Sequence, residues 1–494
     1  MLDILIEGAK VYDGTGSPWF RADVGIRDGR IAKLGVVKDR ARRRIDAAGL
    51  ALCPGFVDAH THADDIVKRP AAENLLRQGV TTVVSGNCGD SELPIRKMLD
   101  RVQIARPAIN YATLVGHGAI RKQAMGMAGR GPTRGELAQM RRLAERAMRE
   151  GAVGISTGLF YVPGAYARLE ELVEVSKVVA AHGGVYASHK RSAGGKVLEA
   201  IREAAAVGRK AGIAVEISHL KLLHRRGRTT RDRAEEVLAA VARHREGGVD
   251  IAYDTYPYTA TNTTLSSVAI PPRVSVGGRL VERLKDAAVR RRIRGEVAGR
   301  IAWIGGPGKI TVVEFPPDRT LEGKTLADVA RARGRDATDA AMDLIVEGEP
   351  WCIFHALRPR DVDRFVCDRL GMIASDGGVA DPRRRVVHPR NYGTFPRVLR
   401  EYVRDRRLMS FPQAIRKMTS MPAARFAIPD RGIVARGMIA DLVVFDPRTV
   451  GDRATFDKPH ANPVGIRHVI VSGQVAFNGR SVSRERWGVV LRGR

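Results

Sequence analysis

From Cys53 onward the chain repeats one unit: a β-rich apolar run, a polar turn, then a helical stretch. The apolar runs are Leu52–His60, Val80–Cys88, Ile109–Val115, Ala152–Thr157, Val185–His189, Ala214–His219, Ile251–Tyr256 and Met372–Asp376. Eight strand–helix units are what a closed parallel barrel needs. The helices between them read clearly. Thr133-Arg134-Gly135-Glu136 is a capping box opening Leu137–Arg149, and Val197–Lys210 and Arg233–His244 are amphipathic. The stretch from about Pro271 to Phe354 is too long for an ordinary strand–helix connection and predicts an inserted subdomain or lid.

The ends differ from this pattern. Residues 2–50 and 430–494 are short strands and turns, such as Ile4–Ile6, Val24–Arg27, Asp441–Phe445 and Ile466–Val471. The expected architecture is α/β. It is a (β/α)8 TIM-like barrel over residues 52–428 with an insertion at about 271–354. A small β-sandwich is built from both termini, residues 1–51 and 429–494. A length of 494 residues suits a barrel plus a second module.

In a parallel barrel the C-terminal strand ends converge on one site. Those ends carry His60 and His62, Cys88, His117, His189, His219, Tyr256 and Asp376. His60 and His62 are one residue apart, so they project from one face of a strand. Neutral imidazole and thiolate are ligands that zinc favours. Cys88 sits in a glycine-flanked turn, where a thiolate can bind a metal. Asp376 can ligate a metal or act as general base. The other histidines read as structural: His182 and His244 lie at helix ends, His224, His460 and His468 in loops or terminal strands. His355 and His388 flank the last strand and stay open.

At this point the resemblance becomes specific. The chain resembles the amidohydrolase superfamily, and within it the N-acyl-D-amino-acid deacylase (D-aminoacylase) family. The pieces that carry it include Pro54-Gly55-Phe56-Val57-Asp58-Ala59-His60-Thr61-His62, Ser85-Gly86-Asn87-Cys88-Gly89, Gly154-Ile155-Ser156-Thr157-Gly158 and Ile217-Ser218-His219-Leu220-Lys221. Tyr256-Pro257-Tyr258, Ser375-Asp376-Gly377, His388-Pro389-Arg390 and Ala440-Asp441-Leu442-Val443 continue it in family order.

The resemblance implies hydrolysis of N-acyl-D-amino acids to a carboxylate and a free D-amino acid. It implies a tight zinc on Cys88 and His189 with Asp376 close by, and a weaker second metal position on His60, His62 and His219. Lys221, Tyr256 and Arg390 match positions that contact the substrate α-carboxylate, and Tyr161 a tyrosine that lines the site. Single basic residues in so arginine-rich a chain are ordinarily solvated, so position in the motif is what marks Lys221 and Arg390. The chain departs from the family after His189, where Lys190-Arg191-Ser192-Ala193 stands in place of a segment like Met-Arg-Asp-Glu. It departs again after Asp376, in Gly377-Gly378-Val379-Ala380-Asp381. Both changes border the expected substrate pocket and bear on acyl and side-chain preference.

Other readings are weaker. Gly154-Ile155-Ser156-Thr157-Gly158 matches a nucleophile elbow, but that motif needs an immediate helix, and Leu159 to Gly164 runs extended into Pro163-Gly164. Dihydroorotases and hydantoinases use a carboxylated lysine, and the fourth strand, Gly151 to Leu159, has none. A barrel that kept its fold and lost catalysis is the non-enzymatic alternative.

The net charge of +29 invites a nucleic-acid reading, but the arginines are scattered and aromatics are only 5%. The expected partner is a small molecule, with no nucleic acid and no membrane. No apolar run approaches a membrane span, and the four cysteines form no CxxC pair, which fits a reducing cytoplasm.

Overall fold

The computed structural model describes residues 1–223 and 233–493; His224 lies outside them. The fold is α/β. Phe56–Asp58, Val80–Ser85 and Asn110–Thr113 form one parallel sheet. Val115–Gly116, Gly154–Gly158, Val185–His189, Ala214–Ile217, Ile251–Thr255 and Gly371–Ile373 form a second, also parallel, in that order. The third strand spans both sheets: Leu114 N–H donates to Ser85 O at 2.9 Å, and Val153 N–H to Thr113 O at 2.9 Å. The first and last strands also meet, through a parallel bridge between Thr61 and Gly377 and an Asp376 N–H to His60 O bond of 2.9 Å. Nearly every residue in these strands is buried, because helices cover one face and side chains fill the other. That explains why they read as continuous apolar runs rather than alternating ones.

The helix Arg134–Arg149 opens on the expected capping box, with Thr133 and Glu136 bonded reciprocally. Val197–Ala211 and Arg233–Glu246 form where amphipathic spacing placed them.

One expectation is corrected. The run Leu52–His60 reads as a single strand, but the structure divides it. Ala51–Pro54 pairs antiparallel with Leu442–Phe445 in the terminal sheet, and only Phe56–Asp58 joins the parallel set. Pro54 offers no N–H to continue a ladder. Gly55 packs so closely that a Cβ there would lie 2.1 Å from the Thr81 side chain.

Both chain ends enter one eight-stranded sheet. Its order is Gln474–Phe477, Ile466–Val471, Leu442–Phe445, Ala51–Pro54, Leu2–Val11, Phe20–Arg27, Arg30–Gly35, with Ala41–Asp46 also paired to Leu2–Val11. Alternation decides its packing: Leu442 and Val444 enter an apolar cluster with Ile4, Ile6 and Val24, while Val443 and Phe445 enter the core shared with the parallel strands.

Between the seventh and eighth parallel strands lies a three-stranded antiparallel sheet, ordered Thr261–Thr264, Trp351–Phe354, Ile310–Glu314. Helices Ala287–Ile304 and Ala337–Gly348 accompany it, and it has its own buried cluster around Leu265, Val297, Phe315 and Leu344. Its first strand begins upstream of Pro271. Among the described residues no helix is long and apolar enough to cross a membrane.

The terminal sheet is fastened to the parallel strands by a buried carboxylate. Asp441 accepts from Arg431 Nε at 2.8 Å, from Asn110 Nδ2 at 2.7 Å and from Ser472 N–H at 2.7 Å. Asp441→Ala strands a buried guanidinium, so the expected loss of stability is about 3 kcal/mol. It should appear as a lowered thermal midpoint in calorimetry.

Candidate metal centre and its cavity

At the C-terminal ends of the parallel strands, side chains from separate strands converge. Cys88 Sγ lies 3.5 Å from His60 Nε2, 3.3 Å from His189 Nδ1 and 3.5 Å from His219 Nε2. Asp376 Oδ1 lies 3.6 Å from His60 Nε2 and 3.3 Å from His62 Nε2. Two groups with metal-ligand spacing result, His60–Cys88–His219 and His60–His62–Asp376, and His60 belongs to both. The sequence-predicted set of Cys88, His189, His60, His62, His219 and Asp376 is therefore brought together in one place.

Three of these residues turn the backbone as their strands end. Cys88, His219 and Asp376 have φ of 55°, 34° and 50°, a region that side-chain-bearing residues seldom occupy. Such strain persists only where its surroundings impose it. At Cys88 the imposing neighbour is Gly158, where a Cβ would meet Cys88 O at 2.0 Å.

The protonation states follow from burial and neighbouring charge. Burial, reinforced by Lys221, holds His189 and His219 well below the ordinary imidazole range, so both are neutral and have a lone pair to offer. Burial opposes the charge on Asp376, but Arg390 and His62 outweigh it and hold the carboxyl below the usual carboxylate range. Arg390 Nη1 donates to Asp376 Oδ2 at 2.7 Å, and both residues are buried. His388 positions that arginine: its Nδ1 accepts the Arg390 backbone N–H at 3.1 Å.

Lys221 and Arg390 both border a cavity of about 360 Å³ that also exposes Cys88, His189, His219 and Asp376. Tyr256 stands behind them. Its ring lies 5.8 Å from Lys221 Nζ and 5.2 Å from Arg390 Cζ, and its buried hydroxyl has no hydrogen-bond partner among the described residues. Tyr161 lines the cavity with its ring 4.7 Å from that of His189, its hydroxyl bonded to Thr263 Oγ1 at 3.1 Å. A second, more enclosed compartment of about 130 Å³ adjoins it, sharing Tyr161, His189 and Lys221. Phe160, Val268, Trp303 and Phe354 give it apolar walls, and Lys190 borders it. Lys190 is buried, and burial together with Lys221 pushes its pKa down to about 7. A larger groove of about 1280 Å³ runs between the helices Ile95–Ala105 and Arg134–Arg149, lined mainly by their charged side chains.

His117 is a correction. It begins the helix His117–Met125, and its Nε2 faces Glu171 at 2.9 Å beside the Arg121–Glu171 pair. That buried network takes it out of the cluster. His355 lies against Thr311 and Phe456, also away from it.

Sequence reasoning missed Asp254. Its Oδ1 accepts the His219 N–H at 2.8 Å, and its Oδ2 lies 3.5 Å from His60 Nδ1. The signal was present, since a carboxylate inside the apolar run Ile251–Tyr256 must have a partner. Asp58 was missed for the same reason; it accepts the Ser375 N–H at 2.9 Å and so links the first and last strands.

The sequence profile of the amidohydrolase family matches residues 43–296 and 308–477. The chain belongs to that family. A D-aminoacylase of Alcaligenes xylosoxydans xylosoxydans is 37% identical over 99% of this chain and 97% of its own length. An N-acyl-D-glutamate deacylase of the same organism is 37% identical over 96% and 94%. Among solved structures, an N-acyl-D-glutamate deacylase from Bordetella bronchiseptica, complexed with zinc and a phosphonate mimic of the tetrahedral intermediate, superposes with a TM-score of 0.86. It is 36% identical and covers 99% of both chains. Gly158 is a sensitive point, because any side chain there would press on the Cys88 backbone. Gly158→Ala should displace Cys88 and lower turnover at least about tenfold, in line with small misplacements at a reacting centre. Circular dichroism should show the secondary structure retained.

Proposed function

We propose that the protein is a zinc-dependent N-acyl-D-amino-acid deacylase. The observation that carries the reading is Cys88, His60 and His219 converging beside an Asp376 held ionised by Arg390. The donor set fits a divalent metal. The Cys88 thiol, the imidazoles of His60, His62, His189 and His219 and the Asp376 carboxylate bring nitrogen, sulfur and oxygen atoms 3.3–3.6 Å from their neighbours, an arrangement that a cation between them makes favourable. The tight position is assigned to Cys88 and His189 with Asp376 beside it. A weaker second position goes to His60, His62 and His219, which share Asp376, 3.6 Å from His60 and 3.3 Å from His62, with the tight position. Zinc bound there supplies Lewis acidity and makes a water easier to deprotonate.

The residues of the chain do the rest. Asp376 accepts the proton of the attacking water and passes it to the departing amine nitrogen. Arg390 offers a planar fork and Lys221 a point charge to the substrate α-carboxylate. Tyr256 supports both cations from behind and has a free hydroxyl to donate. The enclosed apolar compartment beside Tyr161 takes the D-side chain.

The fold behind this reading is a (β/α)8 barrel of the TIM type, supported by the links between the two parallel sheets and between the first and last strands. We divide the chain into a barrel over 52–428, an insertion at about 271–354, and a β-sandwich from 1–51 and 429–494. The alternation of the terminal sheet between two apolar clusters supports the sandwich. Four free cysteines among the described residues support a cytoplasmic setting.

Chelation should abolish hydrolysis of N-acyl-D-amino acids, and added zinc should restore it. Paired D and L substrates decide the chirality, and equal rates on both would overturn the reading. Asp376→Asn should retain tight zinc by elemental analysis while turnover falls by about three orders of magnitude. Arg390→Ala should raise KM and also lower kcat, because Arg390 touches the base as well as the substrate. Asp254→Asn should weaken zinc affinity by about 10–100-fold in a chelator competition, since it removes the group that orients His60 and His219.

A further inference from the structure

An N-acylated amino acid presents three groups to this cavity: an α-carboxylate, a side chain and an acyl group. Two have receptacles, in Lys221 with Arg390 and in the enclosed compartment. The third is not confined. Lys221 follows the sixth parallel strand and Arg390 the eighth, so the carboxylate is held on that side of the ring of strands. An acyl group pointing away from it faces the third and fourth strands, whose following loops supply Met127, Val162 and Pro163 to the same cavity. The insertion completes this wall with Trp351. Trp351 is 45% exposed, although the next three residues of its strand are buried. An exposed indole at the mouth of a cavity is unpartnered apolar surface of the kind that marks a binding site.

The wall is held together as a unit. Gly277 of the insertion donates to Met127 O at 2.9 Å, and Tyr166, in the loop after the fourth strand, donates to Pro272 O at 2.6 Å. Its charged members, Asp90 and Lys122, carry one charge of each sign, so it has no net attraction for an acidic group.

We propose that this rim binds a medium-chain fatty acyl group, so that the preferred substrates are D-amino acids N-acylated with a long apolar chain rather than with acetyl. The inference rests on the deacylase reading and deepens it.

The test compares N-octanoyl-D-leucine with N-acetyl-D-leucine on the zinc-loaded protein. The octanoyl substrate should have a kcat/KM about tenfold higher or more, mostly through KM, which burial of about two methylenes suffices to supply. Octanoate should inhibit more tightly than acetate. Trp351→Ala and Met127→Ala should each bring the octanoyl-to-acetyl ratio toward one, and Trp351→Phe should preserve it. Trp351 is half-exposed at the first position of its strand and Met127 is half-buried in a turn, so these changes leave the fold intact. An octanoyl-to-acetyl ratio near one in the unaltered protein overturns the acyl rim and leaves the deacylase reading standing. So does a Trp351→Ala variant that slows both substrates equally. If neither substrate is hydrolysed, the deacylase reading fails and the rim falls with it.

Discussion

A thiol, four imidazoles and a carboxylate meet in one place at the strand ends, most of them buried and only His62 exposed, and the surrounding structure serves to keep them there. Left to themselves such groups would separate toward water, since desolvated polar atoms without partners are costly. Strained turns at Cys88, His219 and Asp376 aim them inward, and glycines at close approaches leave room for those turns. Asp254 and Asp58 then brace the clustered residues from below through backbone N–H groups and the far side of an imidazole. The orientation of the cluster comes from this outer layer as much as from the clustered groups themselves.

Electrostatics divides the molecule in two. Many of its arginines lie at the surface among the described residues, some in pairs such as Arg44–Glu7 and Arg333–Glu347, which contribute little to stability. At the cluster the nearby cations are few and desolvated, with Lys221, Arg390 and Lys190 all buried, while Lys122 lies exposed in the outer wall. An anionic substrate therefore meets a concentrated positive field at the chemistry and a screened one elsewhere. The large excess of positive charge over the whole chain is not what recognises the substrate.

Much of this was legible in the residues. The apolar runs supplied the parallel strands, the first of them only through Phe56–Asp58, because a parallel sheet buried on both faces demands continuous apolar sequence. The clustered His, Cys and Asp residues stood out because they ended those runs. What escaped detection depended on tertiary contact. His117 also ended a run, yet it bonds to Glu171 on a helix more than fifty residues away, a partner no local pattern reveals. The division at Gly55 turns on packing against Thr81. Tyr256 lies behind Lys221 and Arg390, which come from the stretches after the sixth and eighth strands, a meeting that spacing along the chain does not encode.

The terminal sheet has a consequence for the birth of the protein. Ala51–Pro54 is paired on one edge with Leu2–Val11, but its other edge waits for Leu442–Phe445. On the ribosome that partner emerges roughly tens of seconds later. Until then an apolar, unpaired strand edge is open to neighbouring chains. The molecule cannot complete itself domain by domain as it is translated. These two segments must find each other after the central strands have been made, with those strands serving as the template that holds them within reach.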